Sequence, residues 1–87
     1  PKDLKGVRSQ IDKLDLQILE LINKRATLAS QIGKIKSENN ESVFSPAREE
    51  EVVNNVLSAN TGPMPDATLR IIFREILSGA RALQRVD

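Results

Sequence analysis

Apolar residues recur in steps of three and four along the opening stretch of the chain: Leu4, Val7, Ile11, Leu14, Ile18, Leu21, Leu28, Ile32 and Ile35. That spacing lays them on one seam of a helix. No proline interrupts the run, and Leu, Ile, Lys, Gln and Ala dominate it. These residues form or tolerate helix, so the pattern predicts one continuous helix over about 4–37. The slot between Leu21 and Leu28 holds Arg25 instead of an apolar residue. Ser45-Pro46 reads as an N-cap followed by a proline in the first turn. Glu49, Glu50 and Glu51 follow, and Val52, Val53, Val56 and Leu57 make a narrow apolar face. A second helix is predicted over about 46–60, ending before Thr61-Gly62-Pro63. Pro65 and Asp66 open a third, over about 65–85, whose stripe is Leu69, Ile72, Phe73, Ile76, Leu77, Ala80 and Leu83. Nothing alternates with strand period. The expected fold class is all-α: one domain over 1–87, with one very long helix, one short and one intermediate.

The length of the first helix matters most. About 34 residues at roughly 1.5 Å each make a rod of about 50 Å. A compact chain of this size has a diameter of roughly 30–35 Å. The rod overhangs anything its own chain can build, yet its apolar seam runs its whole length. A second copy of the helix, antiparallel about a two-fold axis, would cover the overhang. The expected assembly is an intertwined homodimer forming a six-helix bundle.

Composition narrows the chemistry. The chain has no Cys and no His. That leaves no disulfide framework, no thiolate, and neither the commonest metal ligand nor the commonest acid–base group at neutral pH. Thirteen basic and twelve acidic side chains give a net charge of +1, too balanced for a general nucleic-acid binder. Phe44 and Phe73 are the only aromatic residues, too few for base stacking. No run reaches the roughly 18 apolar residues of a membrane span. The expectation is a cytoplasmic protein with no nucleic-acid or membrane partner and no cofactor. The sequence begins at Pro1 and stops at Asp87, which fits a module cut from a longer polypeptide or a trimmed stand-alone protein.

Several polar residues fall where apolar ones are expected. Arg25 either snorkels, joins an ion pair, or binds an anion, because an unpartnered buried guanidinium is costly. Lys36 lies eleven residues on, about 20° from a whole number of turns, so both cations share a face. Alone it reads as a solvated lysine matched to the helix dipole. Arg8 lies about 25 Å from Arg25 along the helix. If two copies cross near residue 20, the partner's Arg8 comes level with residue 32, between Arg25 and Lys36. Three cations then converge on one pocket. Arg48 and Glu49 open the second helix, where exposed amides and charge meet ligands as readily as they make an ordinary charged turn. Gln84 either donates to a ligand or marks a fraying helix end. Such a set is poor at nucleophilic or metal catalysis. It suits a small dicarboxylate and the stabilisation of charge separation by fixed donors.

The stretches LKGVRSQIDKLDLQILELINKRATLASQIGKIK, FSPAREEEVV and GPMPDATLRIIFREILSGARALQ, in this order, resemble the all-α class of chorismate mutase over nearly the whole chain. The resemblance implies conversion of chorismate to prephenate, in phenylalanine and tyrosine biosynthesis, without a cofactor. It implies a dimer whose long first helices pair. By it, Arg25 and the partner's Arg8 bind the substrate carboxylates. Lys36 and Gln84 donate to the ether oxygen of the breaking bond, Glu49 holds the ring hydroxyl, and Arg48 frames that side. Ser45 stands where aspartate is often found, and it serves through its backbone if at all. Ala80 stands where a serine contacts a carboxylate, and it has no side-chain donor. The third stretch also looks like mutase modules fused to prephenate dehydratase or to the first synthase of the shikimate route. Rival readings are isochorismate pyruvate-lyase on the same scaffold and a non-catalytic helical dimerisation or regulatory module.

Overall fold

Both ends of the first helix and of the second are made by identifiable caps. The computed structural model describes residues 3–42 and 44–84. Helix α1 spans Leu4–Glu38. It starts where the Asp3 carboxylate accepts the Gly6 N–H at 2.6 Å, satisfying one of the four orphan donors of a helix start. It stops in a double reverse bond. Asn40 N–H donates to the Ser37 carbonyl at 3.2 Å and Glu41 N–H to the Lys36 carbonyl at 2.8 Å. Asn40 takes a φ of 56°, the left-handed conformation this closure needs and asparagine tolerates. The polar stretch after Ser37 therefore closes the helix.

Helix α2 spans Pro46–Ala59. The Ser45 hydroxyl accepts the Arg48 N–H at 3.2 Å, with Pro46 in the first turn. Of the three consecutive glutamates only Glu49 lies in that turn. Helix α3 spans Asp66–Gln84. Asn60 joins the two helices: its amide nitrogen donates to the Met64 carbonyl at 2.9 Å and to Asp66 Oδ1 at 2.8 Å, and its amide oxygen accepts the Gly62 N–H at 3.1 Å. The two helices fall one residue short of the expected 60 and 65 because Asn60 leaves α2 to make these bonds. Pro65 stays outside α3, its carbonyl accepting the Thr68 and Leu69 amides at 3.1 Å. Arg85, the expected last helical residue, lies outside the described residues. Among the described residues there is no strand, and no helix is long and apolar enough to cross a membrane.

Helix α3 is the middle layer, packed on α1 and on α2, which do not pack on each other. The core is small: Ala29 and Gly33 on α1, Val53 on α2, Leu77 and Ala80 on α3. Small residues let α1 and α3 approach closely. A Cβ added to Gly33 would lie 2.9 Å from Gln84 Cα and 3.1 Å from its Cβ and carbonyl oxygen. The α3 stripe is broader than this core. Ile72 and Leu83 are exposed although their spacing marks them as buried.

The rest of α1 stands clear. Every residue from 8 to 24 is exposed. The radius of gyration is 16.4 Å and the long dimension 59 Å, against about 12 Å of gyration for a compact chain of this length. The exposed apolar surface is wider than the single seam read from spacing. Leu16, Leu19 and Ile22 form a second stripe beside Ile11, Leu14, Ile18 and Leu21, all of them exposed.

Gly33→Ala should push α3 away from α1. Overpacking of this kind costs about 1–3 kcal/mol, so the urea midpoint should fall at an unchanged m-value. An unaltered midpoint would mean that the close contact carries no constraint.

Candidate active site

The α1–α3 approach and the turn after α1 together form a cleft. The closure at Asn40 reverses the chain directly after Lys36, and the Ser45 cap sends α2 back along α3. The cleft between them has a volume of about 260 Å³, just below the roughly 300–1,000 Å³ of drug-sized ligand sites. Arg25 and Lys36 come to it from α1, Ser45, Arg48 and Glu49 from the start of α2, and Gln84 from the end of α3. Leu28, Ile32, Val52 and Leu77 supply apolar wall. Of the residues singled out in the sequence only Arg8 is absent from the lining; it lies exposed near the other end of α1.

Gln84 is the best-fixed polar group. Its Nε2 donates to the Ala29 carbonyl at 3.1 Å in a part-buried setting. A carbonyl only accepts, so this contact settles which end of the amide faces α1. One N–H is used there and the second is left for the cleft. Gly33 supplies the room for the Gln84 backbone, and Ala29 the anchor for its side chain. The amide direction is thus set before any ligand arrives.

The charges are sorted across the cleft. Arg48 pairs with Glu51 on its own helix, and Arg81 pairs with Glu49 at 3.4 Å. Arg25 and Lys36 are half-buried, and neither is in an ion pair with another described residue. Unpaired cations on the α1 wall face a paired carboxylate on the α2 wall. Among the described residues no cluster of potential ligands could hold a metal. The arrangement can bind an anionic small molecule and fix donors against a developing negative charge. Arg81 is a lining residue that the sequence reading passed over. Its signal was present: with Leu77, Ala80 and Gln84 it continues one face of α3 at steps of three and four.

Residues 7–85 match the family described as chorismate mutase type II. The chain belongs to the chorismate mutase type II family. It is 40% identical over 88 residues to a bifunctional chorismate mutase/prephenate dehydratase of Aquifex aeolicus, covering 97% of this chain and 24% of that protein. The chain thus spans about a quarter of the length of that relative. It is 29% identical over 83 residues to a chorismate mutase of Methanocaldococcus jannaschii, covering 94% of this chain and 84% of that one. The structure of a chorismate mutase (form II) from Thermus thermophilus superposes with a TM-score of 0.92 at 31% identity, covering 95% of this chain and 94% of that one. In this chorismate mutase family member the hydroxyl of Ser45 is occupied in capping α2, and Ala80 offers only a buried methyl group to the cleft.

Gln84→Glu would set a carboxylate oxygen against the Ala29 carbonyl. The carboxyl would have to stay protonated to keep the contact, so its pKa in the folded state would rise above the unfolded value. A raised folded value gives stability that is full at low pH and lost as pH rises. The deficit of this variant against wild type should therefore shrink on acidification, as read by urea unfolding across pH. A deficit independent of pH would contradict the Ala29 contact.

Proposed function

We propose that this chain is a chorismate mutase, rearranging chorismate to prephenate in phenylalanine and tyrosine biosynthesis. The observation that carries the proposal is the meeting of Arg25, Lys36 and a directionally fixed Gln84 amide in one small cleft, in a chain of this family. The reaction is a one-substrate pericyclic shift. It needs no nucleophile, proton transfer or cofactor, which suits a chain without Cys or His. Arg25 grips one substrate carboxylate. Lys36 and the free N–H of Gln84 donate to the ether oxygen as its bond to carbon lengthens and negative charge gathers there. Glu49 accepts the ring hydroxyl, Arg48 frames that wall, and Ser45 contributes backbone. Holding the folded, chair-like conformer supplies the remaining acceleration.

The second carboxylate requires another cation, and here the proposal includes a homodimer. The exposed residues 8–24 of α1 carry two apolar stripes. A largely apolar groove of about 470 Å³ runs along the other side of Arg25 between α1 and α3, lined by Ile22, Ala26, Ile76 and Leu83 among others. A second copy of α1, antiparallel, accounts for both, and its Arg8 would enter the cleft beside Arg25. Fusion to or association with a second aromatic-pathway enzyme is part of the proposal, supported by the bifunctional names of relatives. A cytoplasmic location is part of it as well, on the sequence reading alone.

Chorismate consumption by this chain, with prephenate as product, tests the reading; salicylate plus pyruvate from isochorismate would indicate the lyase instead. Arg25→Ala and Lys36→Ala should each lower kcat/KM by about 100-fold or more while the circular dichroism and sedimentation of the protein stay those of wild type. No turnover by the wild-type chain would point to a non-catalytic module, and variants that leave turnover intact would contradict the roles given to Arg25 and Lys36.

A further inference from the structure

Arg81 reaches two elements at once, the segment before α2 and the first turn of α2. Its guanidinium carbon stands 5.2 Å above the centre of the Phe44 ring, and one of its nitrogens stands 3.4 Å from Glu49 Oε1. Phe44 precedes the Ser45 cap, and Glu49 lies in the first turn of α2. One side chain from α3 thus holds both flanks of the α2 start. Both Arg81 and Glu49 line the cleft, with the Arg81 side chain 42% exposed and that of Glu49 23%. A planar guanidinium can offer its face to a ring and its edge to a carboxylate at once; a lysine ammonium cannot.

The charge layout says why this matters. Glu49 shares a small cleft with Arg25 and Lys36, neither of which is in an ion pair with another described residue. A free carboxylate beside two such cations would swing toward them. It would then compete with the substrate carboxylate for Arg25 and abandon its own wall. Arg81 supplies a competing partner on the far side.

We propose that Arg81 is a positioning residue: through the ion pair it keeps the Glu49 carboxylate on the α2 wall, away from Arg25 and Lys36, and through the Phe44 ring it fixes the segment that leads into α2. The proposal rests on the mutase reading, in which Glu49 accepts the ring hydroxyl. Arg81 itself touches neither the ether oxygen nor the breaking bond. Its effect is therefore on binding that ground state and transition state share.

Steady-state kinetics on the full chain separate this from a structural role. Arg81→Met should raise KM on the order of ten-fold with a much smaller change in kcat, the signature of lost uniform binding. Made in a Glu49→Gln background it should add little, because the route through Glu49 is already cut. Arg81→Lys keeps the charge but not the stacked plane, and should fall between wild type and Arg81→Met. A fall in kcat at constant KM, an unchanged KM, or full additivity with Glu49→Gln would overturn the proposal. Should Arg81→Met fail to fold, the position of Arg81→Lys decides: a wild-type KM overturns it. The chain has no Trp or Tyr, so Phe44→Trp gives a clean emission reporter that does not need turnover. Its emission should change when Arg81→Met is added, and an identical spectrum would overturn the contact to the segment. A wild-type chain that leaves chorismate untouched while the reporter responds would defeat the mutase reading and not the contact.

Discussion

An apolar rod that outruns its own core governs this molecule. Helix α1 continues for 35 residues, but α3 packs near its C-terminal half alone, around Ala29 and Gly33. Burying apolar surface yields roughly 25 cal/mol per Å², and the isoleucines and leucines from Ile11 to Ile22 remain 39–67% exposed within the chain. The two-stripe surface on the free half is wider than one neighbouring helix can cover. It suits insertion between two helices of another copy. In the proposed homodimer this constraint links stability to the cleft, since the second copy of α1 would also bring its Arg8 to Arg25.

The second organising contact is at the other end of α1. Gly33 admits the Gln84 backbone, and the Ala29 carbonyl takes one N–H of the Gln84 amide. Packing and site geometry are the same contact here. The small core residues that let two helices touch also fix the orientation of a donor. In the proposed reaction this would be preorganisation, with the amide dipole aimed before charge develops on the ether oxygen. On the facing wall the charges are already partnered, Arg48 with Glu51 and Arg81 with Glu49. The α1 cations are in no such pairs among the described residues.

Much of this architecture was written in local pattern. Steps of three and four marked three helices, Ser45 and Pro46 marked the start of the second, and Pro65 and Asp66 that of the third. The all-α class followed from those signals. Arg25 stood out as a cation in an apolar series, and the eleven-residue step to Lys36 placed both on one face, where the cleft now lies. Other features depend on tertiary contact and were not legible. Leu16, Leu19 and Ile22 did not register as a second stripe because a single-seam template absorbs only one face. Ile72 and Leu83 read as core because spacing reports which face is apolar, not whether anything covers it. Arg81 was passed over: its steps to Leu77, Ala80 and Gln84 mark its face, but the ring and carboxylate beside it come from other elements. The Ala29 carbonyl on Gln84 spans 55 residues of sequence and leaves no trace in composition.

The most direct test of shared sites is a mixing experiment with two inactive variants. Arg8→Ala and Arg25→Ala are purified apart, combined, unfolded and refolded together, and assayed for chorismate turnover. If each site draws Arg25 from one protomer and Arg8 from its partner, half of the random dimers are mixed and each carries one intact site. Activity should then return to about one quarter of wild type. A mixture that exchanges subunits by mass analysis yet stays as inactive as its parents would contradict the account.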